Sequence, residues 1–313
     1  MRKISNFFII LIALPVFLLN SCSDSESGYE IYELVLEWGT KGADNGQFGY
    51  IEDFAIDKNG RILITDGLNS NVQIFTPEGS FISTFSGKGN KDENMEKPKG
   101  IAIDNDGNIF IADYLSGHIK KFDKSYNWIM TFGTFGKESG QIAEPEFICI
   151  GQNGLLYVPE AGNHRISVFD LNGNFKFAFG EYGTGNGQLK RPEAVSCNSK
   201  DNIYVTDLGN HRIQMFNSEG KFIKTWGTEG KKPGQFRKPS GLAIDKDDNI
   251  YVTELSGNRI QKFDKNGTFI CVWGSSGSDK GQFSNLHGII IDDQGDVYIA
   301  DTGNHRIQKF KKK

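Results

Sequence analysis

Apolar, β-branched and aromatic residues come in short blocks along this chain, and an acidic side chain closes one block in every cycle. The closers are Asp66, Asp113, Glu160, Asp207, Glu254 and Asp301, each 47 residues after the last. A phenylalanine follows each of them nine residues on, from Phe75 to Phe310. A third ladder is aromatic and runs through Trp38, Phe85, Phe132, Phe179, Trp226 and Trp273. Three ladders in one register, with no insertion, mark a repeat protein whose units span residues 32–313.

Each unit divides into four short strands. In the fifth, residues 241–245 are apolar throughout, as befits a strand covered on both faces. Residues 249–254 alternate and are β-branched, 259–263 form a third strand, and 268–273 a fourth. Asp-Lys-Asn-Gly at 264–267 supplies a hairpin turn with glycine where φ must be positive. Four strands of about five residues per cycle describe a propeller blade rather than a solenoid coil. The chain stops after a third strand, and the missing fourth stands at the other end, at residues 32–38. Its pairing into the last blade closes the ring and removes an open edge. The expected fold is therefore all-β, a six-bladed β-propeller of four-stranded blades.

Specific motifs name the repeat. Asp-Leu-Gly-Asn-His-Arg-Ile-Gln at 207–214 and Asp-Thr-Gly-Asn-His-Arg-Ile-Gln at 301–308 resemble NHL repeats, as does the glycine-rich connector at 227–236. The first unit departs most, with Asn69-Ser70-Asn71 where the family has Asn-His-Arg. The resemblance implies the propeller fold; it implies no particular activity, because the fold hosts unrelated ones.

The start of the chain reads differently. Arg2 and Lys3 precede an apolar run at 7–19, too short for a comfortable membrane span, and Ser21-Cys22 follows. This resembles the lipobox of bacterial lipoproteins, which implies a signal peptide over 1–21 and an acylated Cys22. Residues 22–31 are then a polar, acidic tether. The expected location is the cell envelope, lipid-anchored, at the outer membrane or cell surface with a periplasmic placement as the alternative.

Charge excludes one class of partner. The whole chain carries a net charge of −4, which offers no general attraction for nucleic acid. Cys149, Cys197 and Cys271 match no metal spacing. Cys149 and Cys197 read as small core residues, and Cys271 as a strand residue of open exposure. His164, His211 and His305 share one repeat position in three blades, so they should not converge on one ion. Each acidic closer should instead pair with the arginine five residues on, as in Asp207 with Arg212 and Asp301 with Arg306. Asp104 and Asp245 open short acidic turns that hairpin chemistry explains without calcium.

One position is left free by the repeat. Just before the innermost strand it reads Glu52, Lys99, Glu146, Glu193, Ser240 and His287, facing the mouth of the central channel, with Tyr114 and Leu115 on the same face. Varied polar residues beside a concave opening are where recognition is expected. The expected function is a non-catalytic binding or scaffold module for a protein, peptide or glycan, as a monomeric propeller without a cofactor. The alternative is a metal-dependent enzyme, resembling amidating lyases or gluconolactonases, with a divalent metal in the central funnel. Against the lyase resemblance, only His287 of the six positions is a histidine.

Overall fold

The computed structural model describes residues 30–313. The leader, Cys22 and most of the tether lie outside the described residues.

Six four-stranded antiparallel sheets surround one axis. Blade one is typical: Ile51–Ile56 lies innermost, followed outward by Ile62–Asp66, Asn71–Phe75 and Phe81–Phe85. The innermost strand of every blade runs from the upper face, where blades are joined, to the lower face, where the hairpin turns lie. In blade six the outermost place is taken by Tyr32–Trp38, which pairs with the C-terminal strand Arg306–Lys312. Tyr32 stands opposite Lys312 and Trp38 opposite Ile307. Tyr32 is buried, stacks on Trp273 with ring centroids 4.3 Å apart, and shares a 2.9 Å hydrogen bond with Tyr251 of blade five. The closure expected from the sequence is present.

Apolar side chains between neighbouring blades form the core. The Phe ladder is fully buried, and the Trp/Phe ladder packs beside it across each interface; Trp226, for example, lies 6.1 Å from Phe263 of the next blade. Both faces of the middle strands are covered, which is why residues 62–66 and 203–207 carry no exposed position.

The repeat motif fastens the connectors. Asp207 is completely buried and accepts the backbone N–H of Lys190 at 2.7 Å and Arg212 Nε at 2.8 Å. The other guanidinium nitrogens of Arg212 donate to the carbonyls of Thr184, Gly185 and Gln188 in the glycine-rich connector. The same carboxylate–arginine pair recurs at Glu160–Arg165, Glu254–Arg259 and Asp301–Arg306. Blades one and two lack it because Asn71 and His118 occupy the arginine position.

The motif histidines share one backbone conformation. His164, His211 and His305 have φ between 55° and 57°, a left-handed conformation in which histidine is several-fold enriched. His164 Nδ1 accepts the N–H of Arg191 and His211 Nδ1 that of Lys238, each at 3.1 Å, so these two link neighbouring blades. Asp104 and Asp245 each accept backbone N–H groups of their own turns.

Candidate functional site

The variable ring is built by the innermost strands, but not where the sequence puts it. Glu52, Lys99, Glu193, Ser240 and His287 are the second residue of their strands, not the residue before them. Glu146 alone precedes its strand, because the inner strand of blade three is only Cys149–Ile150. The strand of blade five likewise starts at Pro239, two residues earlier than its apolar run suggests. All six ring residues are buried, and the cause is close approach of the inner strands. A Cβ on Gly100 would stand 2.3 Å from the Glu146 carbonyl oxygen, and one on Gly241 2.3 Å from that of His287. Threonines of the second strands fasten this packing: Thr65 Oγ1 donates to the Lys99 carbonyl at 2.6 Å, and Thr253 Oγ1 to that of His287 at 2.6 Å.

The ring splits into two halves. In blades two to four, Lys99 Nζ pairs with Glu146 and lies 3.5 Å from Glu193 Oε1. Burial alone would lower the Lys99 pKa; the charges of Glu146, Glu193 and Glu52 outweigh it and raise it. Burial and the neighbouring Glu193 push Glu146 well above the usual carboxylate range. One ammonium thus faces two buried carboxylates, and their attraction keeps Lys99 charged.

The other half, in blades five, six and one, is less well satisfied. Asn285 Nδ2 donates to Tyr50 Oη at 2.9 Å, and the same hydroxyl shares a 3.0 Å hydrogen bond with His287 Nε2. The other ring nitrogen, Nδ1, lies 3.2 Å from Glu52 Oε2. The two atoms are close but do not make an aligned hydrogen bond, and neither Glu52 oxygen has a hydrogen-bond donor among the described residues. Ser240 Oγ is equally without a partner. Burial would raise the Glu52 pKa, yet Lys99, His287 and Lys97 hold it low, so it remains a carboxylate.

Above the ring lies a layer that the sequence reading does not single out as a set. Lys97 Nζ sits 4.7 Å from the Tyr114 ring centroid and 3.9 Å from Glu52 Oε1. Arg191 pairs with Glu144 Oε2 at 3.1 Å, and both charges act on the nearby Tyr114 hydroxyl. Leu115, beside them, is 55% exposed. Tyr50, Lys97, Glu144 and Arg191 share one repeat position, two before the ring, and that shared position is the signal that could have found them.

Below the ring, Phe147 crosses the channel. Its ring comes within 6.1 Å of His287 on the opposite blade and 5.7 Å of Lys99 Nζ. It separates the charged upper mouth from a funnel of about 260 Å³ that opens downward between side chains such as Ile56, Ile103, Ile244 and Ile291. Asp53 stands at the blind end. Burial raises its pKa to about 7, although the N–H groups of Phe54 and Ile101 oppose the shift.

That shift has a measurable consequence. A carboxyl whose folded pKa exceeds its unfolded value stabilises the native state below about pH 4 and loses that contribution as pH rises toward 7. Asp53→Asn is expected to match wild type at pH 4 and to melt roughly 5–10 °C higher at pH 8. Parallel melting curves for the two proteins from pH 4 to 8 would assign the titration elsewhere.

Among the described residues, no group of three or more His, Cys, Asp or Glu side chains is placed to hold a metal ion. Cys149 and Cys197 are half-buried rather than core, and Cys271 is buried. No helix is long and apolar enough to cross a membrane among the described residues.

Known proteins agree with this architecture. The NHL repeat family matches residues 283–310, and a family described as a 6-bladed beta-propeller matches residues 188–264. Tripartite motif-containing protein 2 of Homo sapiens is 43% identical over 53 residues, which cover 17% of this chain. The match spans 7% of that curated relative's length. A Bacteroides thetaiotaomicron protein of unknown function superposes with a TM-score of 0.71 at 15% identity, covering 91% of this chain and 76% of its own. Virginiamycin B lyase from Staphylococcus aureus gives 0.63 at 16%, covering 90% and 88%. A gluconolactonase from Xanthomonas campestris gives 0.66 at 12%, covering 86% and 88%. At such identities the likeness is one of fold.

Proposed function

We propose that this NHL-repeat six-bladed β-propeller is a lipid-anchored binding module of the cell envelope that presents its upper mouth to a protein, peptide or glycan. The observation that carries the reading is the layer over the buried ring. Tyr50, Lys97, Tyr114, Leu115, Glu144 and Arg191 bring cations, carboxylates, aromatic faces and an exposed leucine together at positions where the repeat prescribes no residue type. Mixed aromatic and charged surface with a rigid base is suited to recognition. Glu52, Lys99, Glu146, Glu193, Ser240 and His287 set the shape and charge of the base, and a ligand meets first the residues above them.

The direction of display follows from the strand order. The chain enters the propeller at Tyr32, opposite Lys312, on the lower rim. An acyl group on Cys22 would be ten residues away, a reach of at most about 35 Å. Such a tether draws the lower rim toward the membrane and turns the upper mouth outward.

The test is a pulldown from solubilised membranes with the wild type and with the double variant Tyr114→Ala, Leu115→Asp. The wild type is expected to retain a specific partner that the variant loses while its Tm stays within a few degrees. Equal recovery by both proteins would move the binding face elsewhere. Separately, Cys22→Ser should shift the protein from the membrane to the soluble fraction of the producing cell. Persistence in the membrane fraction would dismiss the anchor.

A further inference from the structure

The innermost strands of blades three and four are joined in a way no other pair shares among the described residues. Phe147 N–H donates to the Glu193 carbonyl at 3.0 Å and Val195 N–H to the Phe147 carbonyl at 3.1 Å, a parallel bridge between Phe147 and Ala194. This draws the two strands into direct contact just above Cys149 and Cys197. Both cysteines pack on the same interblade cluster, with Tyr157, Val195 and Ile203 around them. Cys149 lies near enough to Cys197 to oppose ionisation of its thiol. Both are partly accessible, and Cys149 also lines the 260 Å³ funnel that opens on the lower face.

We propose that Cys149 and Cys197 are a dithiol site that closes into a disulfide between blades three and four by exchange with a small or protein disulfide. Cys149, on the funnel wall, attacks first. Its thiolate displaces one sulfur of the donor disulfide, giving a mixed disulfide and one released thiolate. The Cys197 thiolate then attacks the Cys149 sulfur and expels the second donor sulfur. The two protein sulfurs lose two electrons to the donor, and the two protons they carried end on the two released thiolates. Burial pushes the Cys197 thiol up, so it enters as the slower, resolving partner, and the reaction accelerates toward alkaline pH.

The site has a direct link to the upper mouth. Glu146 and Phe147 stand three and two residues before Cys149, and Glu193 stands four before Cys197. Closing the disulfide ties together the two strands that hold the carboxylates on either side of Lys99. The cross-link also encloses 47 intervening residues, so it restricts the unfolded chain substantially.

The inference does not depend on the proposed anchoring, because the chemistry can be run on purified full-length chain. The protein is incubated with oxidised glutathione at pH 8, quenched in acid, alkylated in urea and digested without reductant. The expected product is a Cys149–Cys197 cross-linked peptide, with the protein mass 2 Da lower. Dithiothreitol reverses it, and Tm rises by about 5–10 °C on oxidation. Cys149→Ser should abolish the cross-link and leave Cys197 either alkylated or carrying glutathione. The proposal is overturned if Cys149 and Cys197 remain fully alkylatable after oxidation. It is overturned equally if the linked peptides pair either of them with Cys22, with Cys271 or with a second molecule.

Discussion

A chain that begins at Gly39 is expected to lose cooperative folding, because the sixth blade is then left with three strands and an open edge. Removing 32–38 exposes the outer side of Arg306–Lys312 and strips Tyr32 from Trp273 and Tyr251. It also takes Trp38 from between Phe75 and Tyr298. Tyr32 is buried and Trp38 partly so, and a large core aromatic is worth about 3–5 kcal/mol on truncation to alanine. Two of them together approach the whole stability of an ordinary domain, roughly 5–15 kcal/mol. The shortened chain should therefore aggregate or melt more than 15 °C below wild type by circular dichroism. Adding the peptide of residues 30–39 in trans should recover part of the loss. If the shortened chain keeps the wild-type Tm, the ring is held by interblade packing and closure is dispensable.

The second large effect concerns Lys99. Lys99→Met keeps the bulk of the side chain and removes the charge that Glu146 and Glu193 face. A buried pair broken on one side costs about 3–5 kcal/mol, since the remaining carboxylate is stranded away from water. The variant should melt roughly 10 °C lower at pH 7.5. The deficit should shrink as pH falls, because protonation of Glu146 relieves part of the stranded charge. The sign follows from Glu146, whose pKa already lies above the usual range in the wild type. Adding Glu193→Gln to Lys99→Met should restore part of the lost stability at pH 7.5. A deficit that is the same at pH 4.5 and 7.5 would show that the lysine acts through packing alone.

Much of this architecture is readable in the residues because repetition makes each blade report on the others. Asp207 and Arg212 are five residues apart in one blade, and their pairing is a local event that the motif announces. The closing strand is equally plain, because the pattern at 32–38 is that of a fourth strand and the last unit lacks one. The ring residues were locatable but their burial was not. Whether Glu193 meets solvent or Lys99 depends on how tightly the inner strands converge, and that is set by Gly100, Gly241 and Gly288 together. Phe147 reaches His287, 140 residues away, only because the axis is narrow. The Cys149–Cys197 contact left a trace that is easy to pass over. A spacing of 48, one more than the repeat, places the two thiols at nearly equivalent points of adjacent blades.

The pairing of Tyr32 with Lys312 also sets a timetable for the molecule. Among the described residues the first strand to be synthesised has as its partner the last, and at about 5–20 residues per second the ribosome needs on the order of 15–60 s to make what lies between. During that interval the growing chain has blades but no circle, and Tyr32, Leu34 and Trp38 wait without a seat. Final assembly is thus deferred until Arg306–Lys312 has emerged, so a channel or chaperone that receives the chain earlier would meet a thread that has not yet committed to its finished shape.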